Sequence, residues 1–464
     1  MNWKPSSGAV QAVVMLATVV LSLTASDGLA QEKTLPGQAT PAGQEQPLKS
    51  ESASVQSEPT GTMLTLSQCI EIALRQNPTI LAALNTVDVN QNRVGEARSI
   101  YYPQISANAA YSRVSPITGT ASSTAPTTQY NLYTAGVTLN QTILDFGKTS
   151  STVDVSKLNL TSSQSDLNTA QDTTILSVRQ AYYGVLQAKR NRNVASDVIK
   201  QFQLHLDQAK GFYSVGTNAK IDVIKAEVDL SNAQLSLINA DNALKIAWVT
   251  LYSAMGLTSA PDFTIEDNLS FQKYPITLEE ATTRAYENRP DLKSAIVKTQ
   301  AAEVNISLQR TGNFPVLSAN AGYNWAGIDV PPSQLGSGWD VGVTLTVPLF
   351  SGFLVSHQVA EAKSNYYVLK ANEESVRLQV LLDVRQAYLN LQAAEASIST
   401  AKLAADQAKE NLDLANGRYA AGVGSPIEVS DAFATYVSSQ AAYTGALYNY
   451  KIAEASIEKA MGAR

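Results

Sequence analysis

Residues 103–111 read Pro103-Gln104-Ile105-Ser106-Ala107-Asn108-Ala109-Ala110-Tyr111, and residues 315–323 read Pro315-Val316-Leu317-Ser318-Ala319-Asn320-Ala321-Gly322-Tyr323. The same offset of 212 links Thr65-Leu66-Ser67-Gln68 to Thr277-Leu278-Glu279-Glu280, and Pro78 to Pro290. Both four-residue stretches are helix capping boxes, and both prolines suit the first position of a helix. Farther along the offset drops to 206. Gly136-Val137-Thr138-Leu139 answers Gly342-Val343-Thr344-Leu345, and Val178-Arg179-Gln180-Ala181-Tyr182 answers Val384-Arg385-Gln386-Ala387-Tyr388. Gly216 answers Gly422, and Ala254-Met255-Gly256 answers Ala460-Met461-Gly462. The chain is thus read as two copies of one unit, residues 63–257 and 276–464, joined by a connection at 258–275.

Each copy holds two strand candidates, at about 103–113 and 130–142 in the first and about 315–325 and 339–349 in the second. Ile105, Ala107, Ala109 and Tyr111 alternate with Gln104, Ser106, Asn108 and Ala110; Val341, Val343 and Leu345 alternate with Asp340, Gly342 and Thr344. This is a period of two with one apolar and one small or polar face. Runs of about ten residues match the length that crosses a bilayer as a tilted strand. Tyr101, Tyr102, Tyr130, Trp325 and Trp339 stand near the strand ends, where an interfacial girdle would place them. A sandwich hairpin with one buried face would give the same alternation. Segments 114–129 and 327–338, rich in Ser, Thr, Pro and Gly, read as exposed loops.

Helices of unusual length follow. Val384, Ala387, Leu391, Ala394, Ile398, Ala401, Ala405, Ala408, Leu412, Ala415 and Tyr419 recur at spacings of three and four, a heptad seam. The first copy repeats it from Val178 through Arg192, Phe202 and Leu206 to Tyr213. A helix from Lys148 to Val215 would run about 100 Å at 1.5 Å per residue, longer than any one globular core needs.

The chain has 464 residues, 44% of them hydrophobic and only 16% charged, with a net charge of −6. No Lys/Arg-rich block is present, which argues against a nucleic-acid partner. One cysteine, Cys69, excludes an intramolecular disulfide and a Cys-rich metal centre, and the two histidines, His205 and His357, lie far apart. Cys69 reads as a small buried group, His205 as a helix-surface residue and His357 as a helix-start residue. Neither a P-loop nor a Gly-x-Ser-x-Gly nor a His-Glu-x-x-His motif occurs, so no catalytic, cofactor or metal site is expected.

Residues 1–30 carry Lys4, an apolar run from Ala9 to Leu23 and small residues ending at Ala30, the layout of a signal peptide; an uncleaved anchor is the alternative. Residues 31–62, rich in Pro, Gln, Ser and Glu, read as a disordered linker. No other stretch approaches eighteen consecutive apolar residues, so a membrane crossing by the mature chain requires a β-barrel.

The duplicated capped helix ending in Asn77-Pro78, the Tyr-x-Pro-x-Ile/Leu strand start, the Val-Arg-Gln-Ala-Tyr helix and the Tyr-x-x-Gly tip resemble the TolC family of outer-membrane efflux proteins. The resemblance covers the chain beyond the linker. It implies an α+β membrane protein with a long α-helical coiled-coil barrel and four transmembrane β-strands per protomer. A homotrimer would form a 12-stranded β-barrel in outer-membrane lipid and an α-barrel across the periplasm. It further implies a periplasmic adaptor and an inner-membrane transporter as partners, and an exit duct for small molecules. A type I protein secretion duct and a non-channel periplasmic coiled-coil scaffold are the alternatives.

The resemblance also carries site residues. Gly216 and Gly422 end the long helices at the adaptor-docking tips. Asp222, Glu428 and Asp431 match the acidic pore constriction, and Tyr419 matches a residue tying the closed tips together. A family arginine two residues after the second glycine is replaced here by Gly424, and Lys225 is the candidate substitute cation. For Glu428 a plain helix-capping role stands beside the pore-facing one, since Ser425-Pro426-Ile427-Glu428 is itself a capping box.

Overall fold

The computed structural model describes residues 63–115, 128–217, 219–259, 263–329 and 335–463. The segments read as a signal peptide (1–30) and a linker (31–62) lie outside them, as do the middles of both segments that connect the strand pairs. In chain order the elements are β1 (Met63–Leu64), α1 (Leu66–Gln76), α2 (Pro78–Ser99), β2 (Gln104–Val114), β3 (Tyr130–Leu144), α3 (Lys148–Ser214) and α4 (Lys220–Met255). There follow β4 (Thr264–Ile265), α5 (Leu278–Asn288), α6 (Pro290–Arg310), β5 (Val316–Ile328), β6 (Leu335–Thr346), α7 (Leu354–Ala420) and α8 (Pro426–Ala460). The two long helices α3 and α7 have 67 residues each. The described residues divide into two compact units, one from 95–153 and 305–360, the other from the remainder.

The first unit holds an antiparallel sheet in the order β2-β3-β5-β6. Its centre joins the two sequence copies, with Val137 opposite Tyr323 and Gly136 opposite Asn324. Asn131 fastens that junction by donating its backbone N–H to Asp329 Oδ1 at 2.6 Å. Among the described residues β2 and β6 each have one edge without a partner strand.

Neither face of β2 or β6 is buried, and Trp339 is 75% and Val341 74% exposed. A sandwich needs a covered apolar face, and this sheet has none. The strands also run past their expected ends. β5 continues to Ile328, and β6 begins at Leu335 and stops at Thr346 rather than spanning 339–349. Gly327 pairs with Leu335 and Gly336 with Ala326, so part of the 327–338 segment expected as loop is strand. Glycine and serine there weaken propensity, but ladder pairing needs only backbone groups.

The strand-to-helix junctions are sharp. Phe146 has φ 50° and Phe353 φ 64°, both in the left-handed region where a bulky residue is an outlier, and both rings are exposed. Phe350 and Leu349 are exposed beside Phe353. This apolar belt at the strand ends was not read from the sequence, which pointed to Tyr and Trp.

The second unit is helical. Its main core gathers Cys69, Val178, Tyr182 and Leu186 with Leu251, Met255, Val384, Tyr450 and Ile457. The 258–275 connection packs into that core through Phe263, Ile265 and Leu269. Tyr182 donates to the Glu266 carbonyl at 2.7 Å, and Tyr450 donates to the Gln272 carbonyl at 2.8 Å. Both copies seat the end of their last helix on the preceding helical turn. Gly256 has φ 77°, and a Cβ there would come within 2.8 Å of Asn77 Cα; Gly462 has φ 67°, and a Cβ there would meet Arg289 N at 2.9 Å.

The second-copy seam is buried at ten of its eleven positions. In the first copy Arg192 breaks the apolar run and pairs with Asp241 at 2.9 Å. Among the described residues no helix is long and apolar enough to cross a membrane.

Candidate functional site: the helical tip

Two helical turns form the tip. After α3, Gly216 adopts φ 80°; its N–H donates to the Tyr213 carbonyl at 3.0 Å and the Thr217 N–H to that of Phe212 at 2.9 Å. After α7, Gly422 adopts φ 74° with the same pair of bonds, to Tyr419 and Arg418. This double bond pattern around a left-handed residue satisfies carbonyls that the helix end leaves without partners. Both glycines end their helices in left-handed turns.

Gly424 has a different reason to be glycine. A Cβ there would lie 2.8 Å from Tyr419 N and 2.9 Å from Arg418 C, because the chain folds back against the end of α7. The turn therefore has no room for the arginine that the resemblance leads one to expect.

A basic group is nevertheless present. Arg418, in the last turn of α7, donates through Nε to Glu428 Oε2 at 3.4 Å and through Nη2 to the Val423 carbonyl at 3.4 Å. Sequence reasoning missed Arg418, although it adjoins Tyr419 and sits where a cation favours a helix C-terminus. The Ser425 cap forms, its Oγ accepting from Ile427 N at 3.2 Å. The Glu428 carboxylate turns to Arg418 rather than back to the cap, so the capping box is incomplete. Asp431 is exposed, and among the described residues it has no ion-pair partner.

Tyr419 is 2% exposed, its ring 4.6 Å from His205 and 5.7 Å from Phe212. This joins α7 of the second copy to α3 of the first, and the neighbouring contact of Phe202 with Phe433, at 4.5 Å, extends the junction. His205 is 4% exposed, which corrects its reading as a helix-surface residue. A two-position seam leaves 205 on the flank, but α3 packs against α4 and α7 at once, so its buried face is wider than one seam.

Burial pushes the imidazole below its ordinary value, and Lys225 adds to this while Asp229 and Asp222 oppose it. Asp222 and Lys225 thus share His205 as a neighbour. Among the described residues His205 Nδ1 is buried without a hydrogen-bond partner. Tyr213, which occupies the Tyr419 position in the first copy, is 48% exposed. Among the described residues no group of three or more His, Cys, Asp or Glu could hold a metal ion.

A single uncovered amphipathic sheet joined to two very long helical hairpins is the architecture of outer-membrane channel subunits. CusC, solved in a study of transmembrane channel formation, aligns with a TM-score of 0.75 at 17% identity, over 89% of this chain and 96% of that one. The MtrE outer membrane channel of Neisseria gonorrhoeae aligns with a TM-score of 0.72 at 19% identity, over 89% and 94%. The sequence matches the family described as Outer membrane efflux protein over residues 69–257 and 282–463, and the chain belongs to that family. It is 25% identical to Outer membrane protein TolC of Escherichia coli K12 over 424 residues, covering 86% of this chain and 82% of that protein. It is 22% identical to the cobalt-zinc-cadmium resistance protein CzcC of Cupriavidus metallidurans, covering 86% and 90%.

Proposed function

We propose that three copies of this chain assemble into the outer-membrane exit duct of a tripartite efflux system, with the sheets closing a 12-stranded barrel in lipid and the helices lining a passage through the periplasm. Small molecules received from an inner-membrane pump, through a periplasmic adaptor docked at the Gly216 and Gly422 tips, leave by this route. The tip is the closure. Asp222, Glu428 and Asp431 supply its acidic constriction, Tyr419 its packing, and Gly424 the turn that brings Arg418 to Glu428.

The observation that carries the reading is the sheet: four strands, two free edges and an apolar face in which Val341 is 74% exposed. Unpaired strand edges cannot persist in hydrocarbon, so such a sheet needs further strands to close it. The test is reconstitution of the detergent-extracted protein. A heat-labile trimer on unheated gels and channel conductance in planar bilayers are expected. A monomer soluble without detergent and giving no conductance overturns the reading.

A further inference from the structure

The polar face of the sheet carries one charged side chain. Among the described strand residues that face is asparagine, glutamine, serine, threonine, glycine and uncharged side chains, with Asp340 the single Asp, Glu, Lys or Arg. Asp340 stands opposite Gly322, midway along β6. A Cβ on Gly322 would come within 2.7 Å of Asp340 Oδ1, so the carboxylate lies down over bare backbone. Asn324 Nδ2 donates to the same oxygen at 3.5 Å. Gly342 is overlain by Asn320 in the same way, with Oδ1 3.3 Å from its Cβ position. These polar side chains run along the wall instead of standing off it, which keeps the bore open and the charge fixed.

A charge at mid-height of a membrane strand is expensive against lipid and tolerable against water. The opposite face of β6 settles the direction, because Trp339, Val341 and Val343 are the groups suited to hydrocarbon. We propose that Asp340 sets the charge selectivity of the barrel lumen: one carboxylate from each protomer forms a ring of three that favours cations and cationic solutes in the outer-membrane part of the passage. This rests on the trimeric duct proposed above. It adds a second acidic station, distinct from the one at the helical tip.

Dimensions limit its strength. Twelve strands about 4.8 Å apart and tilted by about 40° enclose a backbone diameter of roughly 24 Å. Three carboxylates lying about 3 Å inside the backbone of such a wall are about 16 Å apart, twice the Debye length of about 8 Å at physiological salt. The ring then acts as three separate patches. In dilute salt, with a Debye length of about 30 Å at 0.01 M, the three fields overlap across the bore.

The experiment is the reversal potential of the reconstituted full-length trimer under a potassium chloride gradient, in the Glu428→Ala, Asp431→Ala background that removes the tip acids. Asp340→Lys is expected to lower the cation-to-anion permeability ratio by a factor of about 3 or more at ~0.01 M salt and to change nothing at ~1 M. Asp340→Asn should fall between. An unchanged reversal potential in Asp340→Lys overturns the assignment while leaving the duct intact; no conductance from the parent trimer overturns the duct, and the ring with it. A second readout is independent of current. In a Cys69→Ser background, Asp340→Cys should react with a charged, membrane-impermeant thiol reagent in liposomes and Val341→Cys should not, and the reverse pattern overturns the assignment.

Discussion

The imidazole of His205 lies 4.6 Å from the ring of Tyr419, and the two residues belong to different copies of the duplicated unit. The contact is where the helical hairpin of the second copy meets the long helix of the first. It is also where a titratable group has been taken out of water. Burial disfavours the imidazolium, which would lose its solvation there and face Lys225, with Asp222 and Asp229 of α4 offsetting only part of that.

The sign of the pH dependence follows. His205 has a folded pKa below its ordinary 6.5, so the unfolded or detached state binds the extra proton. The stability it contributes is complete above 6.5 and is lost as the pH falls from there through the folded value. The temperature of thermal unfolding of the purified protein should therefore drop between about pH 7.5 and about pH 5.5, and His205→Phe should flatten that drop. A slope that His205→Phe leaves unchanged assigns the effect to the carboxylates instead.

Tyr419 and Tyr213 hold the same repeat position but differ in burial, 2% against 48% exposed. Tyr419→Ala empties a packed site and is expected to cost about 3–5 kcal/mol, whereas Tyr213→Ala should stay within about 0.5 kcal/mol. Limited proteolysis at the tip, followed as the rate of cleavage, separates the two. Equal sensitivity of both variants would show that the tip is not held together through Tyr419.

Arg418 and Glu428 form a pair that stands largely in solvent, so its contribution to stability is at most about 1 kcal/mol. Its electrostatic effect is larger. In the trimeric duct proposed above, removal of Arg418 leaves Glu428 of each protomer unneutralised beside Asp431, and crowded carboxylates draw polyvalent cations. Arg418→Ala should leave the melting temperature nearly unchanged while strengthening block by periplasmic-side polyvalent cations in bilayer recordings. Glu428→Ala combined with Asp431→Ala should weaken the same block and lower cation selectivity.

Much of this architecture was legible because it is written twice. The 212 and 206 offsets located every long element, and period-two and heptad patterns survive in isolation because they report which face is buried. What escaped depended on packing between the copies. His205 looked exposed on its own helix, since the second hairpin that covers it lies about two hundred residues away in sequence. Arg418 looked like an ordinary helix-end cation until the Gly424 turn brought Glu428 within 3.4 Å of it. The extra turns of strand at Gly327 and Leu335 escaped because glycine-rich composition reads as loop even where a partner strand supplies the ladder.

Glycines at the two helix ends of the first copy offer the sharpest contrast. Gly216 and Gly256 both have positive φ, 80° and 77°, so alanine at either carries left-handed strain of about 1–2 kcal/mol. Their surroundings differ: nothing lies within 4 Å of a Cβ at Gly216, while one at Gly256 would come 2.8 Å from Asn77 Cα. Backbone cannot swing aside as a side chain can, so Gly256→Ala must also shift the α1–α2 turn, losing the Asn77 Nδ2 bond to the Ala254 carbonyl at 3.0 Å. The expected cost is on the order of 3 kcal/mol for Gly256→Ala, roughly double that for Gly216→Ala. Thermal melting of the two single variants decides it. Similar melting temperatures would mean that Gly256 is kept for its backbone angle alone and that the close approach to Asn77 carries no energetic weight.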